Sequence, residues 1–270
     1  MNRNEIAELL KVRLERALQD ASKQFAENEP YIGYFVVDDL LPDNLARNIY
    51  SAFPNSNSMK LNKTLREYKY IAAQLDNYNQ LIEEVTFAFH SEEVVCLIEK
   101  ITGILNLKAD SNLYAGGISM MGKDHYLNPH LDNSHDKNRE NWRVLNLLYY
   151  VSPDWKIEDG GNLELWPSGI TGKQITLESK FNRLIVMATH DKSWHSVSPI
   201  TIDKKRCCVS NYYFSEKPLN INDKFHITAF RGRPEQKVKD VFLRCDAFLR
   251  NTIRKAFPKG VKKTDHYYKK

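Results

Sequence analysis

Between residues 4 and 27, apolar residues recur three and four apart, with Ile6, Leu9, Leu10, Leu14, Leu18 and Phe25 forming one stripe among charged positions. This spacing predicts an amphipathic helix. Tyr31–Val37 reads as a strand, and Asp43 is placed to cap a helix of about ten residues after a turn at Asp38–Pro42. Residues 78–105 carry a second helical pattern through Leu81, Ile82, Val85, Phe87, Val94, Leu97, Ile98 and Ile101. Beyond residue 110 the texture changes. Short β-branched and aromatic runs are separated by Gly, Pro, Asn and Asp: Leu113–Met121, Val144–Val151, Asn162–Trp166, Arg183–Ala188, Val197–Ile202 and Cys207–Phe214. Such spacing predicts a sandwich or barrel, not a βαβ fold. Residues 235–257 return to helix, with Pro234 before it and Pro258 and Gly260 after it. Val238, Val241, Phe242, Cys245, Phe248, Leu249, Ile253 and Phe257 share one face, which suits core cover or a dimer face, core cover being the expectation adopted. The expected class is therefore α+β: one domain over residues 1–270, with mainly helical support in 1–110, a β-core in 111–216 and a basic helix and tail in 217–270.

Composition narrows the class. The chain has 270 residues, 42% hydrophobic and 27% charged, as in a globular domain able to bury one core. No run of 18 apolar residues is present, so no membrane span is expected. Cys96, Cys207, Cys208 and Cys245 form no CxxC pair, which predicts free thiols, a cytoplasmic location and no cysteine zinc site. The net charge of +5 is uneven. Residues 231–270 hold 13 Lys/Arg against 4 Asp/Glu, or +9, which leaves −4 for the rest. A basic segment suits nucleic acid, anionic lipid or an acidic glycan, or is simply a solvated helix face. It contains no recognised nucleic-acid module, so that partner ranks last.

Candidate chemistry centres on Pro129-His130-Leu131-Asp132-Asn133. In a strand, residues i and i+2 share a side, so His130 and Asp132 project together. His195, in Trp194-His195-Ser196-Val197, supplies a second imidazole. Two histidines and one carboxylate on one face of an iron leave three positions open, enough for a bidentate 2-oxo acid and O2. A His-x-Asp pair alone is a weak signal. His90-Ser91-Glu92 offers a second such pair, but in a helical stretch where i and i+2 diverge. His125, His135 and His190 are nearer to the candidate strand and read as structural residues. Arg206 follows His195 by eleven residues and opens an apolar strand. A guanidinium fork there suits a carboxylate.

From Asn128 to Phe214 the sequence resembles the prolyl-4-hydroxylase-like branch of the 2-oxoglutarate/Fe(II) dioxygenases. NPHLDN, WRVLNLLYYVSPDW, EDGGNLELWP, FNRLIVMATHDKSWHSVSPI and RCCVSNYYF stand in the family's order. The resemblance implies a double-stranded β-helix, or jelly roll, braced by helices. It implies His130, Asp132 and His195 as catalytic metal ligands for Fe(II), and Arg206 and Tyr150 as contacts to the distal carboxylate of 2-oxoglutarate. Asn146 stands where the family carries threonine, on the same strand. Met120 and Met121 stand where it often carries a cosubstrate-binding tyrosine. The implied reaction is hydroxylation of an unactivated C–H bond with succinate and CO2 as coproducts, O2 as oxidant and ascorbate as an auxiliary reductant. The substrate is expected to be a small molecule or glycan, framed by Tyr126, Trp166, Trp194 and the acidic loop Asp132–Asp136; the alternatives are a peptidyl prolyl 4-hydroxylase and a nucleic-acid-binding protein. Asp124, His125, Asn133, Ser134 and Asp136 are candidates to orient a ligand or touch substrate. Neither the substrate nor the oligomeric state is legible.

Overall fold

The computed structural model describes residues 1–256 and 267–269. The predicted N-terminal helix is α1 (Arg3–Asn28), opened by a capping box between Asn2 and Glu5 that satisfies backbone donors at its first turn. After β1 (Tyr34–Val37) comes α2 (Asp43–Ala52). Asp43 is not its cap: Pro42 holds that position and the Asp43 side chain pairs instead with Arg47 at 2.7 Å. A hairpin follows, β2 (Lys60–Lys63) and β3 (Glu67–Ala72), within the stretch expected to be mainly helical. The long helix expected over 78–105 is two helices, α3 (Gln80–Ala88) and α4 (Glu92–Thr102). Ser91 caps α4 through the Val94 N–H, which places His90 at the break between them.

The β-rich half contains β4 (Lys108–Ala109), β5 (Gly117–Met121), β6 (Tyr126–Leu131), β7 (Trp142–Tyr150), β8 (Leu163–Leu165), β9 (Ile175–Leu177), β10 (Arg183–Ala188), β11 (His195–Val197), β12 (Arg206–Ser215) and β13 (Ala229–Phe230). The last helix is α5 (Lys237–Ala256). Among the described residues all strands join one antiparallel sheet in the order β1-β10-β7-β12-β5-β3-β6-β11-β8-β9. β3 pairs with both β5 and β6 and so bridges the two halves. The sheet curls on itself, since β7, third in this order, and β8, ninth, both send residues to one cavity. This is the expected jelly roll.

Strand alternation sorts the two faces. On β7, Leu145, Leu147 and Tyr149 join the core under the helices, while Asn146, Leu148 and Tyr150 face the cavity. On β12, Cys207, Val209 and Tyr213 face the helices, and Arg206, Cys208, Ser210 and Tyr212 face the cavity. The helical layer supplies Ile6, Leu10 and Leu14 of α1, Ile82 and Val85 of α3, and Val94 and Ile98 of α4, all buried. Each such side chain contributes roughly 1.5–3 kcal/mol when fully withdrawn from water.

α5 departs from expectation. It does not cover the core with its apolar stripe. Leu243 is buried, whereas Val238, Val241, Phe242, Phe248, Leu249 and Ile253 are exposed. Phe257, Pro258 and Gly260 lie outside the described residues. Among the described residues, no helix is long and apolar enough to cross a membrane.

Candidate metal centre and cosubstrate pocket

β6 meets β11 through an irregular register: His195 faces His130, yet Val197 faces Leu127. One extra residue therefore sits on β6, at Asn128–Pro129, as a β-bulge. Without it, Leu127 and His130, three apart, would point to opposite faces. With it, both line the cavity. Pro129 suits this place because it has no N–H to leave unpaired. Its carbonyl accepts from Arg231 N–H at 2.8 Å.

The bulge and β11 bring His130, Asp132 and His195 together, one ligand atom of each within 4.8 Å of the others. Nδ1 of His130 bonds the Asn128 carbonyl at 3.0 Å, and Nδ1 of His195 bonds the Ser193 carbonyl at 2.9 Å. Each ring therefore spends its N–H on backbone and turns Nε2 inward, a tautomer suited to metal binding. The two Nε2 atoms lie 3.5 and 3.7 Å from the Asp132 oxygens. Burial, reinforced by His130, pushes His195 down to about 4, so the ring is neutral near pH 7. Burial opposes the charge on Asp132, but the surrounding His130, His195 and Arg143 outweigh it and hold the carboxyl well below the usual range. Phe230 of β13 stacks on His130, ring centroids 5.1 Å apart.

The same cavity, about 350 Å³, contains Arg206, Tyr150 and Asn146. Arg206 is 3% exposed. It has no carboxylate partner among the described residues: its Nη2 donates to the Met121 sulfur at 3.1 Å, its guanidinium lies 5.2 Å from the Tyr150 ring centroid, and its Nε bonds nothing. The Tyr150 hydroxyl and Asn146 Oδ1 are likewise buried without a hydrogen bond, as is Asp132 Oδ2. Burial raises the Tyr150 phenol, with Arg206 opposing only in part, so it remains a neutral donor. Buried polar atoms normally have partners. Four orphans around one cavity mark a place shaped for a ligand that carries both acceptors and donors. Of the two methionines, Met121 lines this cavity and Met120 belongs to the core.

Other expected residues lie elsewhere. Trp166 is buried with its Nε1–H on Ser196 Oγ at 2.8 Å, and the Tyr126 hydroxyl bonds the Thr64 carbonyl at 3.1 Å. Neither these two nor Trp194 lines the cavity, so the aromatic frame expected from sequence is not there. His125 stacks on Tyr68, centroids 3.7 Å apart, and His90 bonds Asn211 at 2.8 Å. His135 bonds the Asp136 carbonyl, and His190 accepts from Lys192 N–H. Asp136 caps its own turn at Glu140 and Asn141, Asn133 bonds the His135 carbonyl, and Ser134 bonds the His226 backbone.

Several residues near the site were not singled out from sequence. Arg143, buried behind Asp132 with Nη1 3.9 Å from Oδ2, lies over the Tyr212 ring at 3.8 Å. Its buried position in an apolar strand was the available signal. Glu164 stands between Leu163 and Leu165 on a fully buried strand, a place where an acid needs a partner. It finds Arg233 at 2.6 Å and Ser196 Oγ at 2.6 Å. The β2–β3 hairpin brings Lys60, Asn62, Glu67 and Lys69 to the cavity. Its inward face is the polar one, so no amphipathic pattern announces it.

A jelly roll that gathers a His-x-Asp pair and a distant histidine, each with a free ligand atom, has the layout of the non-haem iron oxygenases. The comparison with known families agrees: the model of the 2OG-Fe(II) oxygenase superfamily matches residues 116–214. That match supports a dioxygenase, and the matched family implies Fe(II), 2-oxoglutarate and O2. Solved structures share the fold. A prolyl-4-hydroxylase from Pseudomonas putida is 14% identical, with a TM-score of 0.55 over 72% of this chain and 98% of its own. A prolyl 4-hydroxylase from Phytophthora capsici is 18% identical, with a TM-score of 0.55 over 96% of this chain and 81% of its own. A 2OG-Fe(II) oxygenase-family oxidoreductase from Burkholderia pseudomallei is 15% identical, with a TM-score of 0.51 over 74% and 90%. Among curated proteins no sequence match is found.

Proposed function

We propose that this protein hydroxylates an unactivated C–H bond of a small polar molecule, consuming 2-oxoglutarate and O2 and releasing succinate and CO2. His130, Asp132 and His195 would hold Fe(II), and Arg206 with Tyr150 would grip the distal carboxylate of 2-oxoglutarate, Asn146 lying beside it. The donor set fits: two imidazoles with Nε2 turned inward and one carboxylate, with an Asp132 oxygen free of any hydrogen bond. The single observation that carries the reading is Arg206, a buried guanidinium with no carboxylate of its own among the described residues, in the cavity that contains the triad. An unpaired buried charge is costly, and a dicarboxylate cosubstrate would offset that cost.

Iron with its cosubstrate supplies the oxidising chemistry, one atom of O2 entering succinate and the other the substrate. The chain's own residues position and exclude. Backbone carbonyls at Asn128 and Ser193 fix the two rings. The Tyr150 hydroxyl would donate to the distal carboxylate of 2-oxoglutarate, and the Arg206 guanidinium would pair with it. Leu127, Leu148, Leu163, Val197 and Phe230 line the rest of the cavity and keep water from the reacting centre. Lys60, Asn62, Glu67 and Lys69 on the hairpin offer charges of both signs to a substrate, which supports a small polar one. All four cysteines are free thiols, which supports a cytoplasmic setting, and ascorbate would keep the iron reduced.

Succinate release, measured with Fe(II), 2-oxoglutarate and a panel of free amino acids, sugar nucleotides and proline-containing peptides, tests the proposal. Stimulation by a small polar compound is expected. Stimulation by the peptides alone would replace the small-molecule reading with a peptidyl prolyl hydroxylase. The absence of any anaerobic visible absorption band on adding Fe(II) and 2-oxoglutarate would refute the cosubstrate site itself.

A further inference from the structure

α5 is mounted with its polar side inward. Asp240 pairs with Arg231 at 2.6 Å, Asp246 with Arg66 of the hairpin turn, and Arg250 donates to the Thr228 carbonyl at 3.0 Å. Lys239 lies over the Tyr126 ring at 4.4 Å. These contacts fix the rotation of the helix about its axis. The opposite side therefore faces water. There Phe248 is 75% exposed, Val238 73%, Phe242 64%, Val241 and Leu249 59% each, and Ile253 41%. At 100° per residue these six span one continuous stripe along a helix roughly 30 Å long. An exposed apolar patch of this length marks a contact surface.

Charge selects the occupant. Lys237 and Arg244 are exposed along one edge of the stripe, and half-buried Lys239 lies along the other. The two aspartates of the helix are already spent on arginines, Asp240 on Arg231 and Asp246 on Arg66 and on Arg250 of the helix itself. Arg254 and Lys255 continue the basic sequence, and Glu235 just before the helix is the nearest exposed acid. A second copy packed stripe to stripe would bring basic edges against basic edges, whichever way the helices ran. Nucleic acid would match the charge but leave the apolar stripe in water. A surface that is apolar within and anionic at its boundary matches both. We infer that α5 docks the protein on an anionic phospholipid surface, lying in the plane of the interface with Phe242 and Phe248 in the acyl region and Lys237 and Arg244 among the headgroups. This is the geometry of an interfacial amphipathic helix, and each basic residue at such a surface strengthens binding by about fivefold.

Flotation of the full chain with phosphatidylcholine vesicles, with and without phosphatidylserine, tests the inference. The protein is expected to float with the anionic vesicles, to stay behind with the neutral ones, and to be released at high salt. Phe242→Ser with Phe248→Ser should lower flotation about tenfold or more, as should Lys237→Glu with Arg244→Glu, with thermal unfolding unchanged because all four side chains are exposed. Three outcomes would overturn the inference. One is no flotation of the parent protein. Another is a concentration-dependent dimer, seen by light scattering, that the phenylalanine pair abolishes. The third is binding to duplex DNA that only the charge reversals weaken.

Discussion

Two buried charge clusters sit on the same curled sheet, and they are finished to different degrees. In the first, both oxygens of Glu164 are occupied, by Arg233 at 3.2 and 2.6 Å and by Ser196 at 2.6 Å, and Arg233 also donates to the Val197 carbonyl, leaving only its Nε without a partner. In the second, Asp132 Oδ2, Arg206 Nε, the Tyr150 hydroxyl and Asn146 Oδ1 have nothing to bond. A closed cluster of this kind holds strands together, whereas an open one awaits a ligand. Glu164 is on β8, next to β11, and Arg233 follows β13, which pairs with β6. The closed cluster thus ties the two strands that carry the histidines to the chain after β13. Mutation should separate the two clusters: damage to one reads out as stability, damage to the other as chemistry.

The largest expected effect is at the triad. Asp132→Ala and His195→Ala should each lower substrate-coupled succinate formation by about three orders of magnitude or more; His195→Ala should do so with little change in the urea midpoint, whereas Asp132→Ala also takes the acid away from buried Arg143. Full activity in either variant would remove both residues from the proposed metal site. Glu164→Ala should act in the opposite way. It strands a buried guanidinium, and one-sided removal of a buried pair costs about 3–5 kcal/mol. A urea titration should show that loss, and replacing both partners together, Glu164→Leu with Arg233→Met, should restore most of it. If Glu164→Ala left stability unchanged while activity vanished, the closed cluster would be part of the chemistry after all.

Arg206 tests the contrast within a single residue type. Arg233 and Arg206 are both buried arginines, but only Arg233 has an acid beside it. Arg206→Met should therefore cost little stability, since it removes a charge that no acid among the described residues neutralises. Its effect should fall on the KM for 2-oxoglutarate, raised about a hundredfold for a charge-assisted bidentate contact worth roughly 2–3 kcal/mol. Tyr150→Phe removes one neutral donor and should raise the same KM by about tenfold. Steady-state kinetics with varied 2-oxoglutarate separates these outcomes from a loss of fold. An unchanged KM in Arg206→Met would mean the carboxylate binds elsewhere.

The open cluster was the legible one. His130, Asp132, His195, Arg206, Tyr150 and Asn146 were all nominated from residue type, alternation and the order of motifs, and the structure brings all six to one cavity. The β-strands were legible for a related reason: cavity-facing and helix-facing residues alternate in apolar surroundings. The closed cluster was not legible, because Glu164 and Arg233 are 69 residues apart and no local pattern pairs them. The β2–β3 hairpin was missed because its polar face points inward. α5 was recognised as an amphipathic helix but given the wrong orientation. Periodicity fixes which residues share a face; it does not say whether that face meets the protein or the solvent. That was decided by ion pairs from Arg66 and Arg231, residues outside the helix.

The smallest expected effect lies outside both clusters. His90, at the break between α3 and α4, is pushed down to about 4 by burial, which outweighs its hydrogen bond to Asn211. In the unfolded chain the ring titrates near the ordinary value of about 6.5. Between those values the unfolded state binds the extra proton, so stability rises with pH there. The contribution is complete above about pH 6.5 and is lost as pH falls toward 4. At pH 5.5 the loss is about 1 kcal/mol, measurable as the difference in urea midpoint slope between the parent and His90→Gln. Because His90 is on the helical side of the sheet, adding Fe(II) and 2-oxoglutarate should shift both midpoints alike and leave that difference intact. A difference that disappeared on loading would couple the helical layer to the open cluster and break the separation drawn between stability and chemistry.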